Sequence, residues 1–148
     1  MPSMTVADER LKAFDSHDIP GKPQFRSLSA DTLSLMGYWR VRTGGAIEFY
    51  GVDANALLSE AFVRDHCFRL DEGPQAPRGM VGLRFEPVKD RMKRNSPPEV
   101  MGTVWLDATT SALQSVEFMW TKLRGDLKHV GGEVIFARVD SGPWFVSS

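Results

Sequence analysis

His66 and Cys67 stand side by side in this chain of 148 residues, which has three histidines and a single cysteine. A thiol beside an imidazole suggests a thiol hydrolase, in which the ring takes the sulfur's proton. Neighbouring residues of a strand, however, point to opposite faces, so these two would not meet. The expected Cys67 is instead a small buried hydrophobe that cannot form a disulfide within the chain. The sequence has no Gly-x-Ser-x-Gly elbow and no Gly-x-x-x-x-Gly-Lys-Ser/Thr phosphate loop.

Carboxylates flank two of the histidines. Asp18 follows His17 and Asp65 precedes His66. These four residues form a candidate ligand set for a divalent metal ion, which would activate water and polarise a phosphoryl oxygen. The basic stretch from Lys89 to Arg94 would draw anionic substrates, so the chemistry implied is hydrolysis of phosphate diesters or triesters. The set lacks the spacing of His-Glu-x-x-His or paired Cys-x-x-Cys sites. A structural alternative assigns His66 to the last carbonyls of a helix, where its charge also suits the dipole. His17 would then be solvated in a linker, and His129 would lie in a loop near Gly131-Gly132. Glu86 and Glu117 are a further candidate pair for acid–base work, which would require one buried carboxyl. Because Arg84 shares their face, a solvated ladder of opposite charges is expected instead.

Several elements must position these groups. Thr5 and Asp8 resemble a capping box and predict a short helix at the start, followed by a turn-rich linker from Ser16 to Pro23. A second short helix is capped by Ser29 and closed by Gly37. Trp39 and Val41 then alternate with Arg40 and Arg42, and Gly44-Gly45 turns a hairpin. Asp53 caps the main helix, residues 53–66, with Ala54, Leu58, Ala61 and Phe62 on its apolar stripe and Leu57 beside it. Strands follow, beginning near Cys67, Leu83, Val100, Gln114 and Glu133, with a last one from Trp144 to Val146. The loop from Lys89 to Pro98 is polar and is expected to be a mobile flap.

The predicted fold is mainly β (α+β): a curved antiparallel sheet or half-barrel with one packed amphipathic helix and short N-terminal helices. All 148 residues form a single domain, with a helix and linker over 1–23 and the half-barrel over 24–148. Leu83, Phe85, Val116, Phe118, Trp120, Val134, Phe136 and Trp144 can share one side of the sheet. They serve as core, or they line a cleft beneath the helix that takes a hydrophobic small molecule or lipid.

Eighteen basic residues against nineteen acidic ones argue against general binding of nucleic acid, which needs a positive excess. No apolar run reaches the length of a membrane-spanning helix. The N-terminus has no apolar core of signal-peptide length, which as written predicts a cytoplasmic protein. An edge strand left open near the C-terminus would favour a homodimer.

Three motifs carry a resemblance. They are Phe49-Tyr50-Gly51-Val52-Asp53 continuing to Phe62 and His66-Cys67-Phe68, Gly82-Leu83-Arg84-Phe85-Glu86-Pro87-Val88, and Gly102-Thr103-Val104-Trp105-Leu106-Asp107 with Thr110 and Leu113. From about Ile19 to Ser148 the chain resembles the C-terminal portion of exported bacterial carboxypeptidase-regulatory-like-domain proteins. In those proteins a signal peptide and a β-sandwich come first, so the resemblance implies a portion of an exported protein. The Trp-Leu-Asp hairpin is also similar to half-barrels of the lipoprotein-carrier and lipocalin-like kind. Both resemblances imply a small-ligand or lipid-binding or interaction domain, with the metal-dependent hydrolase as the alternative.

Overall fold

The computed structural model describes the backbone of residues 5–13, 25–71 and 76–137, and the side chains of 27–71 and 76–136. His17, Asp18, Trp144 and the last predicted strand lie outside those residues.

Period-two segments build the main sheet, as expected. The strands are β1 (Thr5–Ala13), β5 (His66–Asp71), β6 (Met80–Pro87), β7 (Val100–Asp107), β8 (Leu113–Trp120) and β9 (Val130–Ala137). They are antiparallel, in the order β1-β9-β8-β7-β6-β5, and the sheet stays open, with β1 and β5 at its edges. Between β1 and β5 in sequence, β2 (Phe25–Arg26), β3 (Trp39–Val41) and β4 (Ile47–Tyr50) form a small second sheet. The β3–β4 hairpin turns at Gly44-Gly45 as predicted, and both glycines have positive φ.

Residues 5–13 correct the reading of a first helix. Val6 and Leu11 make too thin a stripe to hold a helix on a core, whereas β9 offers an edge whose backbone groups need partners. The segment pairs with β9, Val6 opposite Phe136 and Leu11 opposite Gly132. The second N-terminal helix is present as α1 (Ala30–Met36). Ser29 caps it, and the Gly37 N–H returns to the Leu33 carbonyl at 2.8 Å.

The main helix is two short ones, α2 (Ala54–Leu57) and α3 (Glu60–Asp65). Asp53 caps α2 as expected, accepting the Ala56 N–H at 2.8 Å. Ser59 makes the break. Its hydroxyl donates to the Ala56 carbonyl at 2.6 Å and accepts the Phe62 N–H at 3.1 Å, ending one helix and capping the next. The break rotates the stripe, so Leu57 is buried and Leu58 faces out.

One face of the main sheet and the helices enclose the core. Register aligns Phe85, Gly102, Phe118 and Gly132 across β6 to β9, a row of rings alternating with glycines. Phe62 of α3 meets Phe85 edge-on, centroids 5.2 Å apart. Trp120 packs on Phe49 and Phe118, and its indole N–H donates to the Tyr50 carbonyl at 3.0 Å, tying the two sheets together. Burying each such ring contributes about 1.5–3 kcal/mol.

Candidate functional site

Of the predicted core-face residues, Phe85, Val116, Phe118, Trp120, Val134 and Phe136 are buried, and Leu83 is partly so. They pack with Leu57 and Phe62 into one cluster.

Asp65 and His66 are adjacent at the junction of α3 and β5, but their side chains serve different neighbours. The Asp65 carboxylate accepts Ser34 Oγ–H at 2.6 Å and Arg64 Nε–H at 3.0 Å, with Arg91 Nε 3.8 Å away. Burial opposes its ionisation, but those donors outweigh it and hold its pKa below the ordinary value. The His66 ring stacks on Phe62, with Nδ1 2.9 Å from the Phe62 carbonyl and Nε2 3.1 Å from the Val100 carbonyl. The helix-terminus role for His66 is therefore present, with the Phe62 carbonyl as its partner. Among the described residues, no three His, Cys, Asp or Glu side chains gather in a way that could hold a metal ion. Cys67, one residue on, is exposed rather than the buried hydrophobe expected, because strand alternation turns it away from the face that buries His66.

A buried polar cluster centres on Glu99, a residue that no sequence motif marks. Glu99 is 1% exposed. Its Oε1 pairs with Arg91 Nε. Its Oε2 lies 3.4 Å from His66 Nε2 and has no hydrogen-bond partner. Arg91 also donates through Nη2 to the Ser34 carbonyl at 2.5 Å. Burial pushes the Glu99 carboxyl up to about 7 despite Arg91. Burial likewise raises the Tyr38 phenol, reinforced by the carboxylates of Glu99 and Asp65, and holds the His66 ring below its usual pKa. Strand alternation assigns Glu99 to the face opposite Val100, which reads as solvent. The loop before it makes that position interior. The only sequence signal was a lone carboxylate between Pro98 and a β-branched residue.

That loop is not the free flap its polarity suggested. It carries a 3-10 turn, Lys89–Met92. Lys122 donates to the Lys93 carbonyl at 2.6 Å and to that of Ser96. The Tyr38 N–H donates to the Pro98 carbonyl at 2.9 Å, and the Val88 N–H to that of Asp65 at 2.9 Å.

The opposite face of the sheet carries the expected charged ladder. Register aligns Arg69, Arg84, Thr103, Glu117 and Glu133 across β5 to β9. Glu86 Oε1 sits 3.0 Å from Arg69 Nη2 and 3.3 Å from Arg84 Nε. A groove of about 210 Å³ opens here across β6, β7 and β8. Arg84, Glu86, Thr103 and Glu117 line it with the cross-strand pair Met101 and Met119, over the backbone at Gly102. A Cβ on Gly102 would fall 1.9 Å from the Glu117 carbonyl oxygen, so only glycine permits this approach of β7 to β8.

Comparison with protein-family models, with curated proteins and with solved structures finds no match for this chain.

Proposed function

We propose that this chain is a binding domain that seats a small amphiphilic molecule on the polar face of its sheet. The groove at Gly102 carries this reading. It sets two thioether side chains, which adapt to irregular apolar shapes, beside the half-exposed guanidinium of Arg84. An acyl or aromatic end lies on Met101 and Met119, and a polar head lies among Arg84, Glu86 and Glu117. At about 210 Å³ the groove is smaller than the roughly 300–1,000 Å³ of sites that engulf drug-sized ligands. It therefore holds one end of its ligand and leaves the rest exposed. The groups best suited to acid–base chemistry, His66 and Glu99, are buried in the core, which favours binding over catalysis.

A fluorescent dansyl fatty acid tests this directly. Thr103 lines the groove on its central strand, between Arg84 and Glu117, and Thr103→Trp fills it. Wild type should take up the probe, and Thr103→Trp should lose that uptake while keeping its fold by circular dichroism. No uptake by wild type, or equal uptake by the variant, would overturn the assignment.

A further inference from the structure

We propose that the His66–Glu99 pair is a proton-held clasp for the loop over residues 89–98. In the fastened arrangement the pair carries one shared proton, and losing it lets the loop lift from α1 and β7.

The argument starts from the ring. A neutral imidazole has one N–H and one lone pair, yet both His66 nitrogens face carbonyl oxygens, at 2.9 and 3.1 Å. Without a further proton, one lone pair opposes a carbonyl and Glu99 Oε2 has no donor. One added proton relieves the conflict in either of two places. On the ring, it lets both nitrogens donate. On Glu99, it lets Oε2 donate toward Nε2, 3.4 Å away. The two placements are one titration shared by two groups, and the burial that pushes Glu99 up to about 7 favours keeping that proton.

The charges facing the pair come from every element around it. Arg91 lies on the loop, Asp65 at the end of α3, Tyr38 after α1 and Lys122 after β8. Of these, Arg91 is bonded to Glu99 and is itself on the loop. When the proton leaves, Glu99 relieves its unpaired oxygen by turning toward water, and Arg91 moves with it. The Ser34 carbonyl then loses its donor, and the loop keeps only its Lys122 and backbone ties.

Hydrogen exchange of the full chain reads this out, with rates corrected for the intrinsic pH effect. In wild type, protection over 89–98 should fall by up to roughly tenfold per pH unit as pH rises toward about 7, then level off. Glu99→Gln gives the ring a permanent amide donor and should abolish that dependence. Protection that stays flat or rises with pH in wild type, or that falls equally in Glu99→Gln, overturns the proposal. If Glu99→Gln does not fold, NMR titration of wild type decides. A common step for the His66 ring and the Glu99 carboxyl near pH 7 supports it, and two separate ordinary titrations overturn it.

Discussion

Arg91 reaches Glu99 with one nitrogen and the Ser34 carbonyl with another, so one side chain fastens a surface loop to both a buried strand end and a helix. Its side chain is one-fifth exposed and that of Glu99 is 1% exposed. This pair therefore behaves as an interior ion pair, in which removing one partner strands the other.

Arg91→Ala should accordingly cost about 3–5 kcal/mol, because it leaves a buried carboxyl group without its cation. Urea unfolding at about pH 8, above the Glu99 value, measures this. Part of the loss should be recovered at about pH 5, where Glu99 can protonate. A loss below about 1 kcal/mol would place the pair at the surface in energetic terms.

The Glu99 pKa fixes the sign of a stability change with pH. Its folded value, about 7, lies above the ordinary 4.5. The contribution is thus fully present below about 4.5, is lost as pH rises through about 7, and amounts to about 3 kcal/mol at most. Chemical denaturation of Glu99→Gln against wild type at about pH 5 and pH 8 isolates it. Wild type should lose stability relative to the variant at the higher pH.

Gly102→Ala should destabilise by roughly 2–4 kcal/mol, well beyond an ordinary glycine replacement in a strand. The added methyl would meet backbone, the Glu117 carbonyl and Phe118 Cα, rather than a side chain that can swing away. Gly45→Ala is the control. Its positive φ makes it unfavourable too, but a Cβ there meets nothing within 4 Å, so its cost should be the smaller. Thermal melts of the two variants make the comparison.

Ser59→Ala should cost about 1 kcal/mol, the usual worth of a cap, and it should act on both helices. The Phe62 N–H loses its acceptor and the Ala56 carbonyl loses a donor. Amide exchange should therefore quicken on both sides of position 59, and a change confined to α3 would disprove the double role.

The strands from His66 to Ala137 were legible because alternation of Phe85, Val116, Phe118, Trp120 and Val134 with polar neighbours has few other physical solutions. Residues 5–13 were not, because a local capping pattern was outweighed by a partner more than a hundred positions away. The predicted helix over 53–66 runs unbroken through Ser59. Only its two hydrogen bonds show that it divides the helix. Asp65 and His66 stood out in sequence because they are adjacent. Their important partners, Arg91 and Glu99, became visible only after the chain had folded a loop over the end of β7.

The order of the main sheet also sets a sequence of folding events. From β5 to β9 each strand pairs with its neighbour in the chain, so these hairpins close over short loops and form early. The pairing of β1 with β9 joins the two ends of the described chain, and it carries the largest closure entropy of any contact in the sheet. β1 should therefore be the last strand to dock and the first to leave, and until it arrives the backbone of β9 is an open template for any passing strand.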